Sequence, residues 1–157
     1  MLFNLAPLET RRDLAMLGLI HRTVLGKGPK HFQQFFVLQK QQARPNTRLE
    51  GRRQAHGRQL KDLRFGTHLN CARRSALGLT AVYNLLPASA VQHKTVKDFQ
   101  KELQELVKQR AREGCEDWPQ TFSPRVPLHR QPLKQLRTEA HGTESKRKYL
   151  PAPRGLC

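Results

Sequence analysis

Between residues 44 and 74 the sequence RPNTRLEGRRQAHGRQLKDLRFGTHLNCARR holds nine basic and two acidic side chains. Arg52, Arg53, Arg58, Lys61, Arg64, Arg73 and Arg74 make up its dense part. Groups of this kind suit phosphate oxygens, and the planar guanidinium fork can engage two of them at once. Almost no apolar period fixes the backbone of this stretch. It is therefore expected to act as a mobile basic surface that contacts phosphates without reading bases, since base edges demand side chains in fixed register. Phe65 is the one aromatic interleaved in it, too little for a stacking platform on single strands.

Other reactive residue types converge less. His68-x-x-Cys71 has the spacing of half a zinc site, but a structural site needs a second close pair. Cys115 has no histidine within ten residues of it. The acids Asp98, Glu102, Glu105 and Glu113 fall on the outer face of a predicted helix, where solvation is their expected role. Glu116 and Asp117 stand before Trp118-Pro119, which reads as turn chemistry. On a helical wheel His21 lies between Leu14 and Leu17, which predicts a hydrogen-bonded histidine in an interface and not a ligand or base. The phosphate-cradling G-x-x-x-x-G-K-[ST] loop, the G-x-S-x-G elbow and the H-E-x-x-H pair do not occur. The expectation is a protein with no catalytic residue, no metal site and no cofactor.

The elements that would carry these residues must form in an unusually basic chain. Its 157 residues include 29 Lys and Arg against 12 Asp and Glu, a formal net charge of +17, with 37% apolar residues. Globular domains usually reach roughly 45–50% apolar, and a compact body of this charge repels itself. Part of the chain is thus expected to stay open. The longest largely apolar run, Leu14 to Ile20, has seven residues, far short of the roughly 20 that span a bilayer. The first residues lack the pattern of a secretory leader. Three scattered cysteines make no disulfide framework. A reduced, intracellular protein away from membranes is expected.

Helical spacing then divides the chain. Over residues 8–25, Leu14, Leu17, Val24 and Leu25 share one face, with Arg11, Arg12 and Arg22 on the other. Pro7 suits the first turn, Thr10 and Asp13 read as a capping pair, and Gly26 is a natural stop. A second helix is expected over 29–38, anchored by Phe32, Phe35 and Phe36, and a third over 75–86, carrying Ala76, Leu79, Val82, Tyr83 and Leu86 and ended by Pro87. The fourth, 95–113, opens with Thr95 and Asp98 and closes at Gly114. Its Val96, Phe99, Leu103, Leu106 and Val107 fall within about 100° of arc, leaving a mixed-charge face to solvent. Six of the ten prolines follow Cys115, which predicts an extended strap or disordered tail. The reading is mainly α: a small, incomplete assembly of about four helices with little or no sheet. Residues 1–40 form an N-terminal helical pair, 41–72 a basic flexible loop, 73–114 a helical segment and 115–157 a Pro-rich basic tail.

Two stretches rise above composition. One is L-x-x-R-R-D-L-A-x-L-G-L-I-H-R, Leu8 to Arg22; the other is A-V-Y-N-L-L-P-A-S-A-V followed by T-V-K-D-F-Q-K-E-L, Ala81 to Leu103. Their order resembles the region downstream of the polymerase core in non-LTR (LINE-like) retrotransposon reading frames. That region has an R-R-rich helix, a variable loop, a W-N-x-L-P element and a helix opened by S/T-x-x-x-F-K. Tyr83 stands where the family usually has Trp, and Gln100 follows Phe99 where Lys is common. The Y-x-D-D box and the upstream polymerase motifs are missing. What the resemblance implies for this chain is accessory: holding nucleic acid and packing against the rest of an enzyme, with the polymerase core as a possible partner.

The expected function is therefore non-enzymatic, non-specific binding to the RNA or DNA phosphate backbone. Lys146, Arg147 and Lys148 of the tail are the alternative basic site. Two other readings stand beside it: an autonomous RNA-coating module, and an interaction remnant whose helix faces want a missing partner.

Overall fold

The computed structural model describes residues 6–39, 56–61 and 75–134. Expectations placed on 40–55, 62–74 and 135–157 lie outside the described residues. Those are Arg52, Arg53, Arg64, Arg73 and Arg74, the His68/Cys71 pair and Lys146 to Lys148.

Helix α1 spans Leu8–Val24, with Pro7 immediately before it. Proline sits well there because a first-turn N–H has no helical partner to lose. The Thr10–Asp13 pair is not the cap that the sequence suggests. Pro7 starts the helix one turn earlier, and the Thr10 hydroxyl donates to the carbonyl of Pro119 at 2.8 Å. The helix is stopped by Gly26, whose φ of +74° is left-handed backbone that glycine adopts without strain.

The second expected helix is a correction. α2 is one turn, Lys30–Gln33, after which the chain turns and extends. Gln39 N–H donates to Gln59 O at 2.7 Å and Lys61 N–H to Val37 O at 2.9 Å. This single antiparallel bridge, Leu38 to Leu60, takes the backbone groups a longer helix would have used. Of the three phenylalanines, Phe36 is buried and Phe32 partly so, with rings stacked 7° from parallel, while Phe35 faces out.

The third expected helix is divided. A 3₁₀ turn, Ala76–Gly78, leads into α3, Leu79–Tyr83. Leu79, Val82, Tyr83 and Leu86 are buried as their spacing predicts. The helix ends at Tyr83, short of the expected stop at Pro87, and Pro87 instead opens an unexpected helix, α4, Ala88–Gln92. α5 spans Val96–Arg112; the Thr95 hydroxyl accepts from Asp98 N–H at 3.1 Å, and Gly114, φ +73°, closes it.

α1 and α5 are the principal packed pair and run antiparallel: His21 stacks on Phe99 near one end, while Thr10 reaches Pro119 just beyond the other. Leu17, Ile20, Tyr83, Leu86, Phe99 and Leu103 fill the space between them and α3. At roughly 1.5–3 kcal/mol for each fully buried large apolar side chain, this is where stability is concentrated.

Residues 115–134 take the first of the two forms expected of the Pro-rich tail. They run as a strap over the body, with 3₁₀ turns at Trp118–Gln120 and Leu128–Arg130. Phe122 and Leu133 enter the same core. Arg110 reaches Asp117 at 2.8 Å, Arg125 reaches Glu9 at 2.8 Å, and the Gln131 amide donates to Ser123 O at 2.6 Å. Among the described residues the fold is mainly helical, with the lone bridge as its only sheet pairing. No helix among them is long and apolar enough to cross a membrane.

Candidate functional site

Of the seven basic residues singled out by charge density, Arg58 and Lys61 are described, in the segment His56-Gly57-Arg58-Gln59-Leu60-Lys61. This middle part of the expected flexible loop is docked on the helices. Leu60 is buried in the core. Its N–H donates to Asn84 Oδ1 at 2.8 Å, and its carbonyl accepts from Asn84 Nδ2 at 2.8 Å. The Gln59 amide donates to Asn84 O at 3.1 Å, and His56 Nε2–H donates to Tyr83 O at 2.9 Å.

Arg58 is drawn inward by the same docking. Its Nη1 donates to Val91 O at 2.6 Å and His93 O at 3.3 Å. Those carbonyls close α4, and a helix end leaves such acceptors without intrahelical donors. The guanidinium thus serves as a C-terminal cap, and its expected part in a free phosphate-contacting surface is corrected accordingly. The Lys61 side chain faces outward.

Beneath this segment lies a cluster that the sequence signals through His21 alone. His21 is fully buried, its ring stacked on Phe99 with centroids 4.1 Å apart and planes 7° from parallel. Nε2 lies 3.0 Å from His93 O, and Nδ1 3.0 Å from the Tyr83 hydroxyl. A carbonyl only accepts, so Nε2 carries the proton and Nδ1 accepts from Tyr83. Burial lowers the His21 pKa below its usual 6.5, and Arg58 adds to that by repulsion. Burial likewise raises the Tyr83 phenol. Both groups stay neutral with their hydrogen bonds complete. This matches the interface histidine expected from the wheel and offers no open lone pair to a substrate.

Closer to the surface, Glu102 accepts from Ser89 Oγ at 2.6 Å and pairs with His93 Nε2. Here the carboxylate stands between hydroxyl and imidazole. A hydroxyl nucleophile requires the imidazole against it, so this order ties α4 to α5 and does not activate Ser89. At the far end of α1, Asp13 is buried, and burial raises its pKa to about 6, opposed by Arg12 at 3.7 Å and by Arg125. Among the described residues no group of three or more His, Cys, Asp or Glu is placed to hold a metal ion.

Compared with family models, with curated proteins and with solved structures, the chain matches none.

Proposed function

We propose that this chain is a non-catalytic, non-specific nucleic-acid-binding protein that grips the phosphate backbone. One observation carries the reading: nine basic against two acidic side chains in residues 44–74 of a +17 chain. Docking of His56 to Lys61 on α3 and α4 supports it, because the basic segment is pinned at its middle to a folded body. The proposed contacts are Arg52, Arg53, Lys61, Arg64, Arg73 and Arg74, with Arg58 holding the segment in place. The resemblance to the region after a retrotransposon polymerase suggests the same accessory role, with a polymerase core as partner.

Salt titration of binding to fluorescent duplex DNA and RNA tests this. Each neutralised phosphate releases condensed counterion, so four to six contacts predict a log–log slope of roughly −3.5 to −5.5 on duplex DNA. Replacing Arg52, Arg53, Arg64 and Arg73 by Ser should flatten the slope and leave helix content unchanged. No binding by the intact protein at low salt would overturn the reading. In its place would stand an interaction module, which a specific feature favours: Phe35, Val37 and Leu38 are 41%, 44% and 46% exposed beside one another.

A further inference from the structure

The charges of α5 are sorted. On the 100° helical step Lys97, Lys108, Lys101 and Arg112 fall within about 60° of one another, and Lys94 precedes the N-cap. Glu105, Asp98, Glu102 and Glu113 occupy the next 80° or so of arc on one flank. The apolar face, Phe99, Leu103 and Val107, is buried opposite the basic row. The mixed-charge surface expected from the sequence is thus a basic ridge beside an acidic flank.

The flank is engaged within the fold. Glu102 holds Ser89 and His93, Asp98 bonds the Thr95 hydroxyl, and Glu113 accepts from Gln109. The ridge is not. Lys94, Lys97, Lys101 and Arg112 are exposed and, among the described residues, form no ion pair. Lys108 alone on the ridge is paired, with Glu105 at 2.8 Å. That carboxylate is held below its usual range first by Lys108 and then by Arg112 and Lys101, which shows the three cations sharing one face.

We propose that this ridge is an ordered second grip on nucleic acid, laying Lys94, Lys97, Lys101, Lys108 and Arg112 along the phosphates of a double helix. The inference rests on the nucleic-acid reading above and names the form of partner. From Lys97 to Arg112 the row is about 22 Å long at 1.5 Å per residue, narrow and straight, and so complementary to a line of regularly spaced anions. An anionic bilayer fits less well, because the apolar face that would enter it is spent on the core. A single strand fits less well too, because no aromatic stands on the ridge to stack bases.

The test uses the full chain, a short fluorescent DNA duplex, oligo(dT) of the same length and phosphatidylserine vesicles. The variant Lys94→Gln/Lys97→Gln/Lys101→Gln/Arg112→Gln should keep its helical circular dichroism, since the four side chains are exposed. The ridge steepens the wild-type log–log salt slope on duplex beyond what residues 44–74 give alone, and this variant should lose about 3.5 of the total, near 0.9 for each contact removed. Glu105→Gln removes the carboxylate that competes with phosphate for Lys108 and should tighten duplex binding. If wild type binds duplex and the four-site variant binds it equally well, the ridge is overturned and residues 44–74 remain the site. If wild type binds nothing, both readings fall. Tighter binding to oligo(dT) than to duplex, or a four-site effect confined to vesicles, also overturns the ridge.

Discussion

Asp13 and His21 lie two turns apart on α1, both sealed from water, and they answer protons in opposite directions. His21 is buried as the neutral ring with a partner for each nitrogen and Phe99 against its face. Removing water costs it little, because the form that burial favours is the form its neighbours complete. Asp13 is buried with a guanidinium at 3.7 Å on the adjacent residue and a more distant Arg125. Its charged form is poorly compensated, and the carboxyl is pushed up to about 6. A buried titratable group stabilises a fold only where the surroundings finish the hydrogen bonding of the state that burial selects.

The signs follow. His21 titrates below its usual 6.5 in the folded chain, so the unfolded state binds the extra proton and stability falls as pH drops below 6.5. Asp13 titrates at about 6 against an ordinary 3.8, so the folded state binds the extra proton. Its contribution is full below 3.8 and is lost as pH rises to about 6. The two effects oppose each other between these limits, which flattens the profile of the intact protein.

The most severe way to break the contrast is Phe99→Ala. It opens a cavity beside His21, and the expected loss is about 3–5 kcal/mol by denaturant unfolding. With water admitted, the His21 pKa should return toward 6.5 in a proton NMR titration. A smaller change sharpens the contrast: Asp13→Asn should gain about 1 kcal/mol at pH 7. It should also unmask His21, so that stability falls between pH 6.5 and 5 where wild type is nearly level. His21→Gln, which keeps a donor and an acceptor, should show the reverse trend, stability rising on acidification. The smallest effect is expected from Arg125→Gln. It removes an exposed pair with Glu9 worth under about 1 kcal/mol, yet it should move the Asp13 carboxyl further up, since Arg125 holds it down.

Legibility in the sequence followed the range of the interactions. α1 and α5 were readable because apolar period, Thr95, Gly26 and Gly114 are local signals that tertiary structure reinforces. His21 was readable for the same reason. The docked part of the basic segment was not, since its anchors are one leucine and bonds to Asn84, 24 residues away. Phe122 and Leu133 were hidden among prolines, where neither period 3.6 nor period 2 marks a buried position. α4 escaped because the apolar period over 75–86 runs past Tyr83, where the helix ends, and Pro87, a stop signal by type, stands instead as the residue that opens the next helix. Of the site, charge density was plain, whereas the inward turn of Arg58 depended on carbonyls 33 and 35 residues away.

The Asn84 amide also bears on self-association. An extended segment with free backbone groups on one side is a template for another chain's strand. On the side of Leu60 away from Leu38, Asn84 supplies one donor and one acceptor, as a neighbouring strand would. The outer side of this rung is therefore closed without a third strand. Replacing this amide by an apolar side chain would expose that rung beside outward-facing Val37 and Leu38, turning a sealed margin into a seed for intermolecular pairing.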